Sequence, residues 1–187
     1  MTNRLKQLLF IGVFIELLLF AILLLSSDTL PDAFRLTARY TGRISFGLYV
    51  VMFYHFINEK FSGQALEKTY TWGMLFCVLH LIHFGFLSAS VYSNELPIIP
   101  HKLIGGAVAY LAIVSYPFYM KRIKRLGIHL AYFYYVGIVM GVTFLARIRG
   151  EFEGAPESPF HYFGIATLAV LFIYSFKVFL NKNNPEK

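Results

Sequence analysis

Six stretches of this chain, about 8–25, 41–57, 71–92, 103–119, 128–146 and 160–180, are apolar almost throughout, and the short segments between them collect the charges. Roughly 20 apolar residues coiled at ~1.5 Å each match the thickness of a hydrocarbon core, and lipid offers no partner to a bare backbone amide, so such runs fold as helices. The pattern predicts an all-α, polytopic six-helix transmembrane bundle that forms a single domain over 1–187. Composition agrees, since 57% of residues are hydrophobic and only 14% charged, a balance no soluble domain of this size needs. The formal charge of +7 raises nucleic acid as a partner, but the basic residues sit in short clusters between apolar blocks, where they orient a membrane protein; the partner they imply is membrane lipid, with no nucleic acid. Cys77 is the single cysteine and lies inside an apolar block, which excludes a disulfide framework and a multi-cysteine metal site.

The first block follows Arg4 and Lys6 and resembles a signal peptide, but it is long for one and lacks a small-residue cleavage site, so it is expected to stay as the first span. With six spans both termini share a side. Placing them in the cytoplasm puts Arg4, Lys6, Lys60, Lys68, the cluster Lys121, Arg122, Lys124 and Arg125, Lys177, Lys182 and Lys187 inside, against Arg35, Arg39, Arg43, Lys102, Arg147 and Arg149 outside. The positive-inside rule favours that orientation, and the expected location is a cell membrane, the bacterial inner membrane in particular. Gly105 and Gly106 open the fourth span with room for close helix contact, and Pro117 is expected to kink or end it.

The third span carries His80 and His83 near its middle, one turn apart and on one face. Imidazoles at that depth point into the protein and need partners: hydrogen-bonding groups, a proton relay or a metal. Glu16 falls at a similar level on the first span, and with His80 and His83 it would supply one oxygen and two nitrogens to zinc, iron or manganese, although the spacing matches no metal signature. His55 and His129 fall near the cytoplasmic edge, His101 and His161 near the outer edge. A b-type haem held across two helices takes axial ligands at matching depth. The partner level with His80 or His83 on the fifth span is Met140, and the other depth-matched pair is His55 with His129. The bland alternative for each is ordinary: satisfied core histidines, a core methionine, interfacial imidazoles reaching water.

The segments ARYTGRISFGLYVVMF at 38–53, LHLIHFGF at 79–86 and GGAVAYLAIVSYPFYMKRIKRLGIHLAYFYYVGIVMG at 105–141 together resemble successive pieces of the ferric reductase-like transmembrane family, closest to the haem-binding membrane subunits of the methionine sulfoxide reductase system. The resemblance implies a six-helix bundle that holds haem b between its third and fifth helices and passes electrons across the membrane from a flavin. It puts His80 where the family's first ligand helix has its histidine. The fifth helix departs from the pattern: after His129, Thr143 or Phe144 stands where a second histidine falls in the family, and an alignment anchored on Tyr135 puts Ala131 at the first position. Only a short polar tail follows Leu180, so a flavoprotein or reductase partner is expected to be a separate protein at the cytoplasmic face, docked on the basic loop at 121–125.

Three functions compete on this reading. The first is a membrane electron-transfer protein, the redox subunit of an oxidoreductase, with His80 or His83 and either Met140 or His129 on one haem b. The second is a haem-free membrane scaffold or assembly partner of the same fold. The third is a small transporter that couples protons through Glu16, His80 and His83.

Overall fold

The computed structural model describes residues 3–151 and 156–183, and these fold into six helices with no strand among them. They are α1 (Asn3–Ser26), α2 (Leu30–Phe61), α3 (Glu67–Ser93), α4 (Pro100–Tyr119), α5 (Leu126–Ile148) and α6 (Pro159–Asn183). Helices α1, α3, α5 and α6 are each long and apolar enough to cross a membrane; the apolar part of α4, Leu103–Tyr119, is shorter, and charged α2 is not among the four.

The largest departure from expectation is the start of α2. Hydropathy places the second span at 41–57, but the helix runs from Leu30 through Phe61. Its start is chemically well made. Thr29 caps it, accepting a hydrogen bond from the Asp32 amide at 3.3 Å, Pro31 occupies the first turn, and Asp32 sits where the helix dipole favours an acid and pairs with Arg35 at 2.6 Å. Charge ends an apolar run without ending a helix. At 32 residues α2 is ~48 Å long, well beyond a hydrocarbon core.

Contacts between neighbours fix an up-and-down order. Phe20 of α1 stacks on Phe34 of α2, Thr41 of α2 meets His83 of α3, His80 of α3 stacks on Tyr110 of α4, Tyr116 of α4 stacks on Tyr132 of α5, and Phe144 of α5 faces His161 of α6. The start of α1 and the end of α6 therefore lie at one end of the bundle, called here the near end. The α1–α2, α3–α4 and α5–α6 connections lie at the far end.

The core is aromatic. Tyr49, Phe53, Phe56, Phe76 and Phe133 are fully buried and touch one another: Phe53 stacks on Phe133 at 4.5 Å, and Tyr49 reaches Phe76 on α3 and Phe133 on α5. Close approach between helices occurs where glycine faces a bulky side chain, at Gly12 under Leu75 and Leu79, Gly73 under Met52, Gly137 under Tyr49 and Phe172, and Gly164 under Phe144. Gly105 and Gly106, the expected contact glycines, face open space instead, although the Gly105 carbonyl accepts from the Tyr135 hydroxyl of α5 at 2.9 Å. Pro117 lies in the last turn of α4, which ends two residues later at Tyr119.

Candidate functional site

Among the residues of α1, only Leu5 and Glu16 are buried. Gly12, Glu16 and Phe20 repeat every four residues and share a face. Gly12 packs under Leu75 and Leu79, whereas Phe20 packs against Phe34 and Phe86, so Glu16 enters the α1–α2–α3 seam between those two levels. That is the level of His83. Glu16 is 0% exposed, and neither carboxylate oxygen has a hydrogen-bond partner.

His80 and His83 are both buried, with ring centroids 5.4 Å apart. Helix α2 supplies the partner for the second. Thr41 Oγ1 lies 3.0 Å from His83 Nδ1 and also donates to the Thr37 carbonyl at 2.9 Å, so the consistent assignment makes the ring the donor to Thr41. Gly42 permits the approach, since a Cβ there would come within 3.0 Å of His83 Cε1. His80 is held differently. It stacks on Tyr110 at 4.5 Å and leans on Phe76 at 5.1 Å, while its Nδ1 is buried without a partner, as is Ser45 Oγ on α2. Thr41 and Ser45 are one turn apart on α2, so hydroxyls line the side of the seam that faces the imidazoles. The sequence signal for them is slight: short polar residues within an apolar helix, four apart.

The other expected site residues are dispersed. His129 is fully buried, and both ring nitrogens are engaged, Nδ1 with the Tyr116 hydroxyl at 2.7 Å and Nε2 with the Ile123 carbonyl at 3.0 Å. His55 stacks on Trp72 of α3, whereas His129 packs on Phe56 and Tyr116, so the two are not brought together as a facing pair. Met140 lies on the inward side of α5, half-buried against the aromatic core. The side chain of His101 lies outside the described residues. No group of three His, Cys, Asp or Glu side chains among the described residues is placed to hold a metal, so Glu16, His80 and His83 share a level without forming a ligand trio.

These positions test the fit of a haem between α3 and α5. His80 and His83 rise from one helix on one side, and two ligands one turn apart cannot take opposite axial positions. On α5, His129 lies at the near end with no free nitrogen, which leaves the Met140 thioether as the remaining donor at their level. The space between the two helices is filled as well: Tyr49 is 0% exposed, touches Phe76, and donates its hydroxyl to the Phe133 carbonyl at 2.7 Å, while Phe53 and Phe133 stack beside it. The residues present do not fit the group.

No family model, curated protein or solved structure matches this chain. The likeness to ferric reductase-like proteins rests on the three sequence segments alone.

Sequence reasoning missed one further buried acid. Glu59, near the end of α2, is 4% exposed and accepts from the backbone amides of Lys68 and Thr69 at 2.8 and 2.9 Å and from the Thr69 hydroxyl at 2.7 Å. Helix α3 has no capping side chain of its own, and Glu59 takes that role from the preceding helix, a carboxylate at a positive helix end.

Proposed function

We propose that the chain is a six-span membrane protein with both termini in the cytoplasm that keeps the bundle of ferric reductase-like proteins without their haem and serves as the membrane partner of another protein. The observation that carries this reading is the Tyr49 hydroxyl on the Phe133 carbonyl, which ties α2 to α5 through the space a macrocycle would need. The doubly bonded His129 supports it from the other side. The basic connection between α4 and α5 offers a partner an exposed cationic face in Arg122, Lys124 and Arg125, while Lys121 is engaged with Glu67.

The test is an optical spectrum of protein purified from cells grown with ample haem precursor. The reading expects no Soret band, together with a partner that stays bound in mild detergent and is released when Arg122, Lys124 and Arg125 are changed to Gln. A red protein whose Soret band shifts on reduction and disappears in His80→Ala would return the electron-transfer reading, with a separate flavoprotein as donor.

Glu16 favours a second reading. A carboxyl without a partner, level with two imidazoles inside a membrane helix, is the arrangement from which proton relays are built. On this reading Glu16 exchanges a proton with the His83–Thr41–Ser45 side of the seam. Proteoliposomes carrying an internal pH dye would show proton movement that Glu16→Gln removes; equal rates in the two proteins would leave the relay without support.

A further inference from the structure

The far end of the bundle gathers positive charge, and among the described residues Arg39, Arg43 and Arg147 form no ion pair with an acid. Phe46 of α2 and Phe144 of α5 meet edge to face at 5.1 Å, and Phe160 of α6 packs on both. One turn further out on α2 stands Arg43, and one turn further out on α5 stands Arg147, so both guanidinium groups rise from the rim of the same ring cluster. Arg39 follows one turn beyond Arg43. Arg43 donates to Ser158 Oγ at 3.1 Å and lies over the rings of Phe160 and Tyr40 at 5.0 and 5.1 Å. His161 closes the α6 side, 3% exposed, stacked on Phe144, with its Nδ1 buried and unpartnered.

The charges feel one another. Arg147 is within electrostatic reach of Arg39, Arg43, His83 and His161. Its Nε is buried without a partner. Of the described acids at this end, Asp32 pairs with Arg35 and Glu151 with Arg149, while Glu157 accepts from the Tyr162 hydroxyl and lies within electrostatic reach of His161. The first turn of α6 adds its own positive end to the same place, beginning at Pro159 beside Ser158. Guanidinium groups withdrawn from water without a counter-charge are costly, and these lie at the end where the proposed orientation wants few cations.

We propose that Arg39, Arg43, Arg147 and the N-terminus of α6 form a binding site for a phosphate-class oxyanion, with His161 as a further donor. Guanidinium forks suit the paired oxygens of a phosphate, and a basic recess between membrane helices suits an anionic headgroup. A bound anion would cancel the mutual repulsion of the arginines and give the orphaned Arg147 and His161 nitrogens a partner. The inference is independent of whether the bundle carries haem.

The experiment uses the delipidated full chain in neutral detergent. Native mass spectrometry follows titration with dioleoylphosphatidylglycerol against dioleoylphosphatidylcholine, and calorimetry follows inorganic phosphate. Binding of phosphatidylglycerol without free phosphate identifies a lipid headgroup as the source, and binding of inorganic phosphate identifies a soluble oxyanion. In either case Arg147→Gln and Arg43→Gln are expected to weaken binding about tenfold or more, and Arg149→Gln, on an exposed neighbour already paired with Glu151, to leave it unchanged. Should Arg147→Gln fail to fold, Arg39→Gln, at a partly exposed position, carries the same comparison. Absence of binding by both probes, or equal binding in Arg39→Gln and wild type, overturns the proposal.

Discussion

Glu59 and Glu16 are both buried carboxylates on helices of this bundle, and their surroundings are opposite. At the near end Glu59 accepts three hydrogen bonds and closes the start of α3, while His129 uses both nitrogens to join Tyr116 to the turn before α5. Toward the middle and far end, Glu16, Ser45, His80, Arg147 and His161 each keep a buried polar atom without a partner. Tyr132, whose hydroxyl is unpartnered in the near half, is the exception. Buried polar groups in folded proteins are almost always bonded, so the near end reads as polar chemistry used to hold helices together. The far half reads as polar chemistry kept available, for a proton in the seam and an anion at the arginine rim.

The comparison breaks most visibly at the two glutamates. Glu59→Ala leaves the first amides of α3 without an acceptor and is expected to cost about 3 kcal/mol, read as a large fall in the thermal midpoint in detergent. Glu16→Leu is expected to change sign, raising the midpoint by the equivalent of ~1–2 kcal/mol because an unpartnered carboxyl is exchanged for an apolar side chain of similar size. If both variants lose stability alike, Glu16 is structural and the contrast fails. At the glycine contacts, Gly137→Ala forces a methyl group onto Tyr49 and Phe172 and should cost about 1–3 kcal/mol, with loss of the Tyr49 bond to the Phe133 carbonyl detectable in the tyrosine ultraviolet resonance Raman spectrum. Tyr116→Phe removes one partner of His129 and should cost about 1 kcal/mol, with no effect on anion binding at the other end. The smallest effect belongs to the exposed pair Lys121 and Glu67, where Glu67→Gln is expected to change the midpoint by no more than ~0.5 kcal/mol, and less at high salt.

Helix number and order were legible because the membrane allows one local solution to an apolar run, and the blocks at 71–92, 103–119, 128–146 and 160–180 all fall within helices. The start of α2 was not, because its cap and first-turn acid act through the backbone and leave no mark on hydropathy. His80 and His83 were correctly placed in the interior, and Glu16 at their level. Their partners were invisible: Thr41 lies 42 positions before His83, and Tyr110 reaches His80 from another helix. His129 drew attention as a ligand because a lone imidazole in an apolar helix looks the same whether its nitrogens are free or bonded.

Composition and periodicity alone determined that this chain is helical, rich in membrane-length apolar segments, and obliged to turn Glu16, His80 and His83 away from lipid. Those are consequences of transfer free energies, which each residue carries with it. Only the tertiary structure decided that Glu59 is satisfied and Glu16 is not, that Tyr49 fills the gap between α3 and α5, and that Arg39, Arg43 and Arg147 converge. Hydrogen bonds and charge pairs depend on distances of a few ångströms between residues far apart in the chain, and those distances exist only once the helices have packed.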